Sequence, residues 1–291
     1  MCGEGGAGGA AVTQPQVPPA PATITKGASL ADLLNAAAVR QLATNIGVAW
    51  PEFDGPAFVA TALDGLEPLA LLDRGRHLAS ALRKHLPPLY ADALAVLVRS
   101  LTPPLATTEG NGLAVFFYLP HVAFVERYGL DLAGNGGDDP FAVSMVAQYE
   151  FTRRFSAEFS IRPFLIARQD QTLAQLGQWV RDPDPHVRRL STEGTRPRLP
   201  WAQRIPAFVR DPTPCLPILE ALKDDPSQYV RRSVANHVGD IAKDHLDLAL
   251  GLCERWLDGA SDERRWVIRH ALRHPGNKGE GRAVAIRRRA G

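Results

Sequence analysis

At 291 residues, with 45% hydrophobic and 22% charged residues, the chain is long enough to bury a sizeable core and has the charge content of an ordinary folded domain. The formal net charge of +2 hides an asymmetry: residues 1–149 carry 8 Lys+Arg against 13 Asp+Glu, whereas residues 150–291 carry 25 against 18, which makes the second half the better face for a polyanion. No apolar run reaches the roughly 18 residues of a membrane span, and Cys2, Cys215 and Cys253, odd in number and without metal-ligand spacing, predict free thiols in a reducing, cytoplasmic setting.

Residues 1–25 contain the run GEGGAGGAAVTQPQVPPAPAT, dominated by Gly, Ala, Pro and Gln; such a run buries too little to offset its ordering entropy and the segment is predicted to be disordered. It lacks the basic start and uninterrupted apolar stretch of a signal peptide. Helices are predicted over 26–104, on apolar stripes at helical spacing. The first is Leu30, Leu33, Leu34 and Ala37, and the second starts with Phe58 after Pro56. Leu78, Leu82 and Leu86 end at Pro87-Pro88; Leu94, Leu97 and Leu101 end at Pro103-Pro104. Residues 116–130 (FFYLPHVAFVERYGL) read as buried helix and residues 131–140 (DLAGNGGDDP) as a loop.

An internal repeat follows. DPDPHVRRL (182–190) and DDPSQYVRRSV (224–234) place Val187 and Val230 43 residues apart, and a degraded copy, DERRWVIRHAL (262–272), has Val267 37 residues further on. Periods near 40 with helical content suit HEAT-like helix pairs, which cannot bury their apolar faces alone and so stack. The Asp182/Arg188 and Asp225/Arg231 spacings predict an Asp–Arg ladder between repeats, ending where Ile268 replaces the Arg. Asp184 and Asp225 are predicted N-caps before Pro185 and Pro226. Arg232, Asn236, Asp240 and Lys243 fall on one face of the helix that contains Val230, Val234, Val238 and Ile241. The predicted organisation is a Gly/Ala/Pro-rich segment (1–25), a helical repeat domain (26–274) and a basic, unstructured tail (275–291) begun by Pro275-Gly276.

SAEFSIRPF (156–164), HVRRLSTEGTRPRLPWA (186–202), YVRRSVANHVGDIAKDH (229–245) and RRWVIRHALR (264–273) resemble the AlkC branch of the AlkD-like DNA alkylation-repair family, over about residues 28–273. The resemblance implies an all-α, HEAT-like helical repeat solenoid with a concave DNA-binding surface. It implies a base-excision-repair glycosylase that removes N-alkylated, cationic bases (3-methyladenine, 3-methylcytosine) without base flipping. It places the catalytic carboxylates on Glu158, Glu193 and Asp240 and the lesion-contacting aromatic on Trp201. A monomer acting on double-stranded DNA with alkylated bases is implied, with no cofactor, no metal, no membrane and no obligate protein partner. One subgroup of that family carries an immunoglobulin-like domain beyond the helices, for which these 291 residues leave no room.

The residue types suit that chemistry. A base alkylated at N3 is cationic and leaves readily, so the task is to stabilise a sugar cation and position water, which carboxylates do. Arg189, Arg232, Lys243 and Arg269 are the phosphate contacts expected from the repeat pattern. Each candidate has a structural alternative. Glu193 could pair with Arg189, Asp240 with Lys243, and Glu158 with Arg154 or Arg162, while Trp201 could be core. His237 and His245 read as surface polar residues. The competing reading is a non-catalytic HEAT scaffold, and convergence of the three carboxylates separates the two, because a scaffold has no reason to gather them.

Overall fold

The computed structural model describes residues 14–291, and these form helices and turns with no strand among them. The α-helices are α1 (Ala36–Ala49), α2 (Gly55–Leu63), α3 (Leu71–His85), α4 (Tyr90–Arg99), α5 (Leu119–Tyr128), α6 (Phe141–Thr152), α7 (Ile161–Ala167) and α8 (Gln169–Trp179). They continue as α9 (Pro185–Glu193), α10 (Pro206–Arg210), α11 (Leu216–Leu222), α12 (Gln228–Ile241), α13 (Leu246–Trp256), α14 (Asp262–Ala271), α15 (Arg273–Asn277) and α16 (Gly281–Arg289). None is long and apolar enough to cross a membrane.

Capping sets the first boundaries. The stripe from Leu30 to Ala37 is divided, because Asn35 Oδ1 accepts from the N–H groups of Ala37 (2.9 Å) and Ala38 (3.1 Å) and starts α1, leaving Leu30–Leu34 as a 3-10 turn. Asp54 caps α2 by accepting from Ala57 N–H at 3.0 Å, with Pro56 in the first turn where no donor is lost. The prediction of disorder concerns residues 1–13, which lie outside the described residues, and residues 14–25, where the finding differs. Gln16 exchanges two hydrogen bonds with the buried Asn45 side chain of α1 (3.0 and 2.7 Å), and the Pro21 carbonyl accepts from Leu113 N–H at 3.0 Å. The backbone is anchored by polar bonds that composition does not reveal.

The repeat is expressed as two rows. Helices α9, α12 and α14 pack side by side, and α8, α11 and α13 back them. Val187, Leu190, Val230, Val234, Val238, Ile241, Val267 and Ile268 are buried between the rows. The ladder forms one rung across the copies: Arg188 grips Asp225 through Nε (2.6 Å) and Nη2 (3.0 Å) while Nη1 holds the Asp182 carbonyl at 2.8 Å. It stops one copy earlier than expected, since Arg231 donates instead to the carbonyls of Asp225 (2.6 Å) and Pro226 (3.0 Å). An unforeseen rung precedes it, from Arg153 Nε to Asp184 Oδ2 at 3.1 Å. Asp184 caps α9 as predicted, but Asp225 is spent on Arg188 and the Ser227 N–H, so α12 begins after Ser227.

The end of the chain corrects the prediction of an unstructured tail. Helix α16 buries Ala283 and Ile286, with its C-cap Ala290 also buried, and packs on α13 and α14. Glu280 caps it by accepting from Arg282 N–H (3.2 Å) and Ala283 N–H (2.5 Å), while the Arg282 side chain reaches Asp247 (2.8 Å) and Glu254 (3.1 Å) of α13. The three arginines of its last turn face the negative end of the helix dipole. The basic residues masked a short apolar stripe at helical spacing.

Candidate active site

Glu158 precedes α7, Glu193 ends α9 and Asp240 lies in the last turn of α12. Packing of α9 on α12 brings the last two together, and two arginines link all three. Arg189 Nη1 binds Glu158 Oε2 at 2.5 Å and its Nη2 binds Glu193 Oε1 at 3.2 Å. Arg196 Nη1 binds the same Glu193 oxygen at 2.6 Å, and its Nε binds Asp240 Oδ2 at 2.8 Å. Lys243 Nζ closes the series on Asp240 Oδ1 at 2.7 Å. Ser156 donates to Glu158 Oε2 (2.9 Å) and Ser233 to Glu193 Oε2 (2.5 Å). Glu193 and Asp240 are only 5% and 3% exposed, so this is no solvated face; each buried charge is held by partners, as burial requires.

The electrostatics follow from that arrangement. Burial pushes the Glu193 carboxyl up, but Arg189 and Arg196 outweigh it and hold the group below the usual carboxylate range. Burial likewise opposes the charge of Arg189, and Glu158, Tyr229 and Glu193 overcome it; the guanidinium also stacks over the Tyr229 ring at 5.2 Å. His237, expected on the surface, is fully buried behind the site: burial, with Arg196, pushes it down to about 4, and its Nδ1–H donates to the Thr192 carbonyl at 3.0 Å.

Between α9 and α10 the chain forms a loop that carries Arg196 and Trp201. Arg162 of α7, wholly buried, pins it by donating to the carbonyls of Gly194 (3.0 Å), Arg196 (2.8 Å), Pro197 (3.4 Å) and Gln203. Burial and the nearby Arg196 pull Arg162 down to about 10, which leaves it charged near neutrality. Trp201 is not core. It is 60% exposed and, among the described residues, is the one non-glycine with positive φ, at 65°. A bulky side chain held in the left-handed region costs about 1–3 kcal/mol unless the surroundings over-determine it. Trp201→Gly is therefore expected to leave the thermal midpoint unchanged or raised; a drop in the midpoint would show that the indole is structural.

Trp201 lines a pocket of about 420 Å³ with Arg198, Pro200, Arg204 and Lys243. Lys243 thus lines the same pocket as the aromatic while its ammonium binds Asp240. Of the four expected phosphate contacts, Arg232 on α12 and Lys243 in the turn just after it are exposed. The other two differ from expectation: Arg189 is consumed by the carboxylates, and Arg269 is held by the Ala290 carbonyl of the last helix. Glu158 pairs with Arg189, not with Arg154 or Arg162. Asn236, on the same face of α12, accepts from His270 (3.1 Å) and Arg273 (3.2 Å) of the α14 region. Sequence reasoning missed Arg196 and Arg204, and it offered Arg162 only as a partner for Glu158. Arg196 and Arg204 lie in a loop, where no periodicity tells which way a side chain points.

No family model matches the chain. It is 36% identical over 260 residues, covering 89% of this chain and 68% of the relative, to the uncharacterized protein YhaZ of Bacillus subtilis (strain 168). It is also 36% identical to the solved Pseudomonas fluorescens alkylpurine DNA glycosylase AlkC bound to DNA containing an abasic site analog, with a TM-score of 0.78 over 89% of this chain and 68% of that one.

Proposed function

The chain belongs to the AlkC family of DNA glycosylases, and from that premise we propose that it hydrolyses the N-glycosidic bond of N3-alkylated, cationic bases in double-stranded DNA, 3-methyladenine first and 3-methylcytosine second. The carrying observation is that Glu158, Glu193 and Asp240, far apart in the chain, meet in one ion-pair series beside an exposed Trp201. The scaffold alternative offers no reason for that gathering.

In the proposed reaction the C1′–N bond breaks with its electron pair passing to the alkylated base, which leaves neutral. The sugar carries the positive charge, a water oxygen bonds to C1′, and the water's proton passes to a carboxylate. Asp240 stabilises the sugar cation and orients the water, Glu158 and Glu193 share its field, and Trp201 contacts the lesion nucleotide. Charge stabilisation of this kind is strong where water is excluded, and the burial of Asp240 and Glu193 supports it. Arg232 and Lys243 contact phosphates, and the enzyme works as a monomer without flipping the base into a pocket, as the family resemblance implies.

Incubating the purified protein with methylated duplex DNA and quantifying free 3-methyladenine tests the reading. Enzyme-dependent release is the expected result. A folded protein that binds the duplex and releases no base belongs to the scaffold reading.

A further inference from the structure

The ion-pair series contains three carboxylates and three cations, but the cations are not equivalent. Arg189 and Arg196 each bridge two carboxylates and are largely enclosed, so neither can leave without stranding a buried charge. Lys243 is different. Its side chain is 48% exposed, it touches a single carboxylate oxygen, and it stands on a flexible stem at the edge of the pocket that holds Trp201. With the two arginines fixed, the three carboxylates leave one negative charge, and the Lys243 ammonium neutralises it.

We propose that the Lys243 ammonium, 2.7 Å from Asp240 Oδ1, occupies a cation subsite that the positively charged deoxyribose of the reacting nucleotide takes over, the lysine withdrawing toward a DNA phosphate. The proposal rests on the glycosylase reading and adds to it a specificity device. In the free protein Asp240 is satisfied, so a neutral nucleotide gains nothing by displacing the lysine. A cationic sugar replaces one ion pair with another and alone makes the exchange favourable. The withdrawn ammonium has a second partner close by, since Arg198 and Arg204 line the same pocket and would draw a phosphate there. Arg204 is exposed and has no carboxylate partner among the described residues, whereas Arg198 is committed to Asp244 at 2.6 and 2.7 Å.

Two duplexes decide the matter, one carrying a neutral tetrahydrofuran abasic analogue and one carrying its cationic pyrrolidine counterpart, titrated at one fixed salt concentration by fluorescence anisotropy. The quantity read is the preference, Kd(neutral)/Kd(cationic). Lys243→Met is expected to weaken neutral-duplex binding and to raise the preference by about threefold or more, the scale of releasing one exposed ion pair. Arg204→Met is expected to weaken both duplexes by the same factor, as the loss of a plain phosphate contact does. A preference left unchanged or lowered in Lys243→Met overturns the proposal. A wild type that excises 3-methyladenine while the preference fails to move loses only the subsite; a wild type that neither excises nor prefers the cationic duplex loses the glycosylase reading as well.

Discussion

Asp240→Asn is expected to lower single-turnover base release by about two to three orders of magnitude, the usual loss when one preorganised charge facing a developing opposite charge is removed. The substitution keeps the shape and one acceptor oxygen, which serves Arg196, while the amide NH2 displaces the half-exposed Lys243 ammonium toward solvent. Duplex affinity should change by less than about threefold, because ground-state binding is dominated by phosphates. Excision rates at saturating enzyme, measured beside anisotropy and a thermal melt, separate the contributions. A variant excising within tenfold of the wild type, or one that loses affinity and rate together, removes Asp240 from the chemistry.

Arg196→Met should have the largest effect on stability. Among the described residues it takes the only side-chain partner other than Lys243 from Asp240 and one of two cations from Glu193, both buried. Breaking a buried pair from one side costs about 3–5 kcal/mol, and at about 2–4 °C per kcal/mol for a chain of this size the midpoint should fall by roughly 6–20 °C near neutrality. The pH dependence has a definite sign. In the folded wild type Glu193 titrates below its ordinary 4.5, so its ionised form adds stability that is complete above that value and drains as the pH falls through the lower folded one. Without Arg196, burial dominates more and the folded value rises, so protonation relieves an unpaired charge. The gap between variant and wild type should thus narrow from pH 7 to pH 4. A gap that is constant with pH, or smaller than about 1 kcal/mol, contradicts this account of how the carboxylates are held.

How legible was this in the chain itself? The second half was readable because its repeats carry their own punctuation. Val187 and Val230 sit at the same point of successive helices, and the Arg188–Asp225 rung joins the copies as the shared Asp and Arg suggested. The errors lie where a residue has two possible partners. Asp225 could cap α12 or bind Arg188, and geometry awarded it to Arg188. Arg189 could meet phosphate or carboxylate, and its position between Glu158 and Glu193 directs it inward. The final helix escaped notice because a stripe as short as Ala283, Ile286 and Ala290 acquires meaning only from the α13–α14 surface it covers.

Apolar periodicity, proline placement and the repeat of about 40 residues determined the helical class and the two-row stacking, because those signals are local and each helix reports its own buried side. The motifs around Glu158, Glu193, Asp240 and Trp201 determined the family. The local pairs Arg189–Glu193 and Asp240–Lys243 were legible in the spacing, but only the tertiary structure decided which charges meet across elements. The Arg196 bridge between Glu193 and Asp240, the Arg189 bridge between Glu158 and Glu193 and the clamp of Arg162 on the Trp201 loop all join residues of different elements. Ion pairing depends on distances of a few ångströms that no sequence spacing encodes once the partners lie on separate helices.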